Sequence, residues 1–195
     1  MSTQPQHKIT PQEYLELERK AETKSEYFDG RMFAMSGATR EHVKIVANIT
    51  AELINQLLDR PCEVYPVEMR TKVSATGLYT YPDIAVVCSE PQFEDAHFDT
   101  LVNPDLIIEV LSDSTESYDR GKKFAHYRTT DSLREYVLVS QTECRVECFL
   151  RQDDGNWLYM ETADPYGSIE LTSVACRLSV SRVYHRIDFE SAKTA

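Results

Sequence analysis

Apolar positions along this chain follow two rhythms. From 41 to 58, Val43, Val46, Ala47, Leu53, Ile54, Leu57 and Leu58 recur at helical spacing, which predicts a long amphipathic helix. Upstream, Thr10-Pro11-Gln12-Glu13 combines a capping hydroxyl, a proline at the first helical position and an acid three residues on, so a short helix should begin there. Asp29-Gly30, between Glu26-Tyr27-Phe28 and Arg31-Met32-Phe33-Ala34-Met35, predicts a tight hairpin. Strand-like runs follow at 63–73, 79–87 and 106–111, then a second helix at about 118–128. Further strands are expected at 135–139, 145–150 and 157–161, with a turn at Asp153-Asp154-Gly155-Asn156. Helix, strands, helix and strands in that order predict an α+β or α/β sandwich, a mixed central sheet flanked by helices. No repeat or linker interrupts residues 1–195, so one domain is expected.

Two of the strand runs carry a carboxylate that an apolar strand should reject. Asp83 lies in Tyr81-Pro82-Asp83-Ile84-Ala85-Val86-Val87, and Glu109 in Leu106-Ile107-Ile108-Glu109-Val110-Leu111. Buried acids are rare unless paired or bound to a metal. Pro82 cannot donate a ladder hydrogen bond and belongs at a strand start, which places Asp83 where it can reach solvent or a cation. Alternatively, Asp83 caps a turn. The 106–111 run is apolar enough to be covered on both faces, so an ionised Glu109 needs a cation or several donors. A buried salt bridge to Arg70 or Arg128 would also satisfy it.

On the second helix, Asp119, Lys123 and Tyr127 are spaced i, i+4, i+8 and share a face. Lys123 is either an ordinary solvated ion-pair member or, beside the two acids, a group that stabilises charge on a reacting phosphate. His42 opens the long helix and reads first as a satisfied structural histidine, second as part of the same pocket. Glu68 reads as solvated unless it points inward. Cys144, Val146 and Cys148 alternate as one strand face and read as core. The chain contains no nucleophile elbow, P-loop, dinucleotide fingerprint, HExxH or zinc-spaced Cys/His set.

Apolar residues make up 42 % and charged residues 27 % of the sequence, values of an ordinary globular protein. No apolar run reaches a membrane span, and Met1 to Lys8 lacks an apolar signal core. The five cysteines form no CxxC pair, so a cytoplasmic protein with reduced thiols is the simplest expectation. A net charge of −11 argues against strong nonspecific DNA affinity, although a local basic patch such as Asp119-Arg120-Gly121-Lys122-Lys123 can act within an acidic whole.

As a set, these motifs resemble the bacterial Uma-two family, part of the restriction-endonuclease-like PD-(D/E)XK nuclease superfamily. Pro82-Asp83, the run Asn103 to Thr115 with Glu109-Val110-Leu111 inside it, and Asp119 to Tyr127 carry the resemblance. Ser132 to Val139 and Tyr27-Phe28-Asp29-Gly30…Met35-Ser36-Gly37…His42 add to it. The resemblance implies a restriction-endonuclease-like core in which Asp83 and Glu109 bind Mg²⁺ or Mn²⁺. It also implies a catalytic lysine that assists the attacking water. The (D/E)xK position that should hold that lysine holds Leu111, and Lys123 on the following helix is the substitute. The expected activity is metal-dependent endonuclease cleavage of nucleic acid, DNA in the first instance, with a homodimer implied by analogy. A non-catalytic nucleic-acid-binding or protein-interaction module on the same fold is the alternative. A glycosidase-type acid pair is disfavoured by the buried strands and the neighbouring lysine.

Overall fold

The structure is a computed structural model that describes residues 8–189; residues 1–7, on which the expectation of no signal core rests, lie outside that range. Helix α1 (Pro11–Glu18) starts as its sequence predicts. Thr10 accepts from the Glu13 N–H, and Glu13 reaches back to the Thr10 N–H. The hairpin of β1 (Ser25–Phe28) and β2 (Arg31–Ala34) closes on Asp29 and Gly30, at φ 47° and 80°. Two successive positive φ values define the turn whose twist matches the strands. At Gly30 a Cβ would also lie 2.6 Å from the Lys8 Cβ, so this position has no room for a side chain.

Helix α2 (Arg40–Leu57) buries Ile45, Val46, Ile49, Leu53 and Leu57, an i, i+4 row one step from the expected stripe. Val43, Ile54 and Leu58 face outward instead, exposed at 56 %, 46 % and 77 %. Two expected strands each break in two. The 63–73 run becomes β3 (Glu63–Pro66) and β4 (Arg70–Val73), and the 79–87 run becomes β5 (Leu78–Thr80) and β6 (Ile84–Val87). Both breaks follow from backbone chemistry. Val67 adopts a left-handed φ of 52° after Pro66, and Pro82 has no N–H to give. At each break the chain crosses from one sheet to another. The two crossings touch, because the Val67 N–H donates to the Asp83 carbonyl at 2.8 Å.

The larger sheet is six-stranded, in the order β11-β10-β9-β8-β6-β3. Its other members are β8 (Leu106–Leu111), β9 (Glu135–Ser140), β10 (Val146–Arg151) and β11 (Trp157–Thr162). β8 and β9 run parallel and the remaining pairs antiparallel, so the sheet is mixed as expected. The smaller sheet orders β2-β1-β5-β4-β7, where β7 (Thr100–Leu101) had no sequence signal. A hairpin of β12 (Ser168–Leu171) and β13 (Cys176–Ser179) was also not foreseen. α2 and this hairpin cover one face of the larger sheet and bury Ile84, Val86, Leu106, Ile108, Val110, Val137 and Val139. The opposite face places Ile107, Leu111, Tyr136 and Leu138 against Phe124 and Tyr127 of a helical segment, 116–127. Its central turn, Asp119–Lys123, is π-helical. Cys148 and Val146 lie in the core with Cys144 packed beside it, as their alternation suggested.

The expectation of reduced thiols throughout does not survive. Cys62 and Cys88 form a disulfide, leaving Cys144, Cys148 and Cys176 free. The cause is register. β3 and β6 pair Glu63 with Val87, so one step outward Cys62 meets Cys88, at a Cα separation of 3.9 Å. Among the described residues no helix is long and apolar enough to cross a membrane. An unreduced tryptic digest should contain Cys62 joined to Cys88. Reduction should cost about 3 kcal/mol of stability, read as a lower denaturation midpoint. An unchanged midpoint would mean that the strand pair holds its register without the bond.

Candidate active site

Strand β8 is buried at all six positions, and its alternation decides where each side chain goes. Leu106, Ile108 and Val110 enter the α2 core, while Ile107, Glu109 and Leu111 face the 116–127 helix. Asp83 immediately precedes β6. Because β6 and β8 pair Ile84 with Ile108, the next step of the same register sets Asp83 opposite Glu109. Directly opposed residues of an antiparallel pair have Cβ atoms about 5 Å apart on the same face. The Val110 N–H completes the connection, donating to Asp83 Oδ2 at 2.7 Å.

Glu109 is 3 % exposed. Its Oε1 accepts from Lys123 Nζ at 2.9 Å and from the Tyr127 hydroxyl at 2.9 Å. The alternative partners Arg70 and Arg128 are engaged elsewhere. Arg70 binds Thr100, Tyr81 and Asp99, and Arg128 stacks over Phe124. Lys123 is itself buried. Besides Glu109, its ammonium meets Glu26 of β1 at 3.4 Å and Asp119 at 3.5 Å. Leu111, at the position where a lysine was expected, packs in the apolar cluster with Phe124, Tyr127 and Leu133. A charged side chain there would be stranded, so the cation arrives from the helix instead.

The electrostatics of this cluster follow from a count of charges. Burial pushes Glu109 up to about 8 against the pull of Lys123, with Asp119 and Asp83 adding repulsion. Burial raises Asp119 in the same way, and Lys123 opposes it. For Lys123, burial works against the charge, but Glu109, Glu26 and Asp119 outweigh it and hold the ammonium well above its ordinary value. The ammonium therefore stays charged. One cation faces several acids here, and burial favours a proton on Glu109 in the metal-free protein.

An excess of buried acid over base fits a small hard cation. Among the described residues no group of three or more His, Cys, Asp or Glu side chains is placed to hold a metal ion by itself. Mg²⁺ does not need such a cage, since it is commonly held by one or two carboxylates with water completing the shell. Asp83 and Glu109 are the pair that would serve.

Asp83, Glu109 and Lys123 thus come together as the sequence suggested, and His42 joins them, its Nε2 2.9 Å from Asp83 Oδ1. Glu68 does not; it is exposed and pairs with Lys24 at 2.6 Å. The basic stretch 119–123 is less open than its composition implied. Arg120 is bound by Glu116 and Glu147 and Lys123 is buried, which leaves Lys122 as the exposed cation. Glu26 was not anticipated. It sits in the short strand Ser25-Glu26-Tyr27-Phe28, where nothing local marks the acid, and only the approach of β1 to the helix gives it a role. There it also accepts from the Thr80 hydroxyl.

Comparison with known proteins agrees with this architecture. A solved structure from Anabaena variabilis, described as a putative nuclease belonging to DUF820, superposes with a TM-score of 0.74 at 21 % identity, covering 90 % of this chain and 97 % of that one. Two uncharacterized Synechocystis proteins, slr1290 and sll1609, are each 35 % identical to this chain. They match over 187 and 164 residues, covering 95 % and 84 % of this chain and 96 % and 93 % of their own lengths. The family model Uma2, described as "Putative restriction endonuclease", matches residues 11–181. With nearly the whole described chain matched and a restriction-endonuclease-like mixed sheet at its centre, this protein belongs to the Uma2 family.

Proposed function

We propose that the protein is a divalent-metal-dependent endonuclease that hydrolyses phosphodiester bonds of nucleic acid, with DNA as its substrate. The observation that carries this reading is the meeting of Glu109 with Lys123 at 2.9 Å, directly across the strand register from Asp83. Family membership supports the same reaction class.

Asp83 and Glu109 would hold Mg²⁺ or Mn²⁺. When bound, the cation polarises the scissile phosphate and lowers the pKa of an attacking water. Lys123 supplies fixed positive charge one hydrogen bond from Glu109, where negative charge develops on the phosphate oxygens. Glu26 and Asp119 keep its ammonium protonated, and Tyr127 holds Glu109 in place through its hydroxyl. Because these groups sit on buried strands and a packed helix, little reorganisation accompanies the reaction.

A second reading is a non-catalytic nucleic-acid-binding or protein-interaction module on the same fold. The net charge of −11 and the pairing of Arg120 with two acids favour it. Cleavage assays separate the two. The purified chain should cut DNA in Mg²⁺ or Mn²⁺ and not in EDTA, and Asp83→Asn should abolish cutting while the fold remains. Absence of cleavage on DNA and RNA across a metal panel would leave the binding module.

Lys123→Ala should lower the cleavage rate at saturating metal by about 100-fold or more. Mn²⁺ affinity measured by calorimetry should hold or rise, because a competing cation has left Glu109. A variant that cuts at the wild-type rate would remove Lys123 from the mechanism.

Stability should depend on pH in a defined direction. Between the ordinary 4.5 of a glutamate and about 8, the folded metal-free protein binds a proton at Glu109 that the unfolded chain has released. Unfolding therefore becomes easier as pH rises through that window. Thermal midpoints in EDTA should fall from about pH 5 to about pH 8, and Glu109→Gln should flatten the fall. An equal slope in the variant would place the extra proton elsewhere.

A further inference from the structure

The charge count and the strand register leave one contact unexplained. His42 points its Nε2 at Asp83 Oδ1, 2.9 Å away, and both side chains are largely enclosed, at 15 % and 16 % exposure. A carboxylate offers only lone pairs, so the ring nitrogen that meets it carries the hydrogen. Asp83 Oδ2 already accepts the Val110 N–H. With that bond alone, the carboxylate could turn about the Oδ2···H–N direction, because the terminal torsion of an aspartate is soft. A second donor on the other oxygen fixes its plane. Each oxygen then keeps a further lone pair for a cation.

The histidine is in turn held by a relay. Thr39 caps α2 by accepting the His42 N–H, and its hydroxyl donates to Gln141 Oε1 at 2.8 Å. Gln141 is 7 % exposed and lies in the connection between β9 and β10, one residue past the end of β9. Directly behind His42, Ile45, Val46 and Ile49 anchor the helix in the core. Rotation and height of the first turn of α2 are both set, and the imidazole with them. Met35 to Arg40 around this turn are exposed, Glu41 pairs with Arg40, and Lys44 donates to the Arg186 carbonyl.

We propose that His42 is a positioning residue. Its Nε2–H fixes Asp83 Oδ1 so that the carboxylate presents one orientation to a divalent cation, and Gln141 acts through Thr39 to set His42. This rests on the metal-binding reading of Asp83 given above. The role is that of a hydrogen-bond donor, so a side chain of similar reach that donates from a similar point should replace it. Loss of a hydrogen-bonding partner behind a metal ligand typically costs about 10–100-fold in metal affinity or activity.

The test is Mn²⁺ binding to the full chain by calorimetry, with the half-saturating Mn²⁺ for cleavage measured in parallel. His42→Ala should weaken Mn²⁺ by about 10–100-fold, and His42→Gln should restore binding to near the wild-type value. Gln141→Ala should move the Mn²⁺ midpoint in the same direction by a smaller factor. Thermal midpoints in EDTA should separate folding from positioning. Asp83→Asn is the control for the underlying reading. If that variant binds Mn²⁺ as tightly as wild type, the metal site itself is wrong. If it loses Mn²⁺ while His42→Ala binds normally, or His42→Gln is as weak as His42→Ala, the positioning role alone is overturned. Should His42→Ala not fold, His42→Gln with full affinity and Gln141→Ala with reduced affinity support the proposal; an unshifted Gln141→Ala overturns it.

Discussion

A single ammonium ties together parts of the molecule that share little else. Lys123 comes from the 116–127 helix, Glu26 from the smaller sheet and Glu109 from the centre of the larger one. An unpaired charge so far from water would cost several kcal/mol. The three elements therefore have to converge, and the geometry of the site follows from that requirement. The π turn at Asp119–Lys123 belongs to the same constraint, since it is where the helix presents both its acid and its base inward. Turns of this kind are rare inside helices and occur mostly where function displaces regularity.

The site sits on the seam between the two sheets. Two of the chain's crossings between the sheets, at Val67 and at Pro82-Asp83, lie side by side there and are hydrogen-bonded to each other. Asp83 is thus held by its backbone on one side and by Val110 and His42 through its side chain. A residue in a strand interior would be fixed by pairing alone and would point into packed core. One at a crossing keeps an opening while losing little rigidity.

Much of this was legible in the sequence where local chemistry decides. The capping box at Thr10, the Asp29-Gly30 turn and the apolar run around Glu109 each carry their conformation in a few neighbouring residues. Asp83 and Glu109 stood out because their settings contradict their charge. The breaks at Val67 and Asp83 were hidden because the hydrophobic pattern continues across them, although two prolines marked the places. Glu26 and the Cys62–Cys88 bond were out of reach for a different reason. Their meaning depends on which strand lies beside which, and pairing between 63 and 87 is not written in either segment alone. The β12–β13 hairpin did carry a signal, an alternation of Ile169 and Leu171 against Cys176 and Leu178, but in strands too short to stand out.

The covalent tie between β3 and β6 also bears on how copies of this chain can meet. β3 is one of the two rims of the larger sheet, and a bare rim invites a strand from another molecule. Here the rim strand is four residues long, ends in Pro66 and cannot peel from its neighbour while Cys62 remains bonded to Cys88. The opposite rim, β11, has no such restraint and exposes Leu158 and Tyr159, at 48 % and 46 %. A short, proline-ended rim at β3 and a longer, more apolar one at β11 make β11 the rim that favours strand addition, whether in ordered assembly or in aggregation.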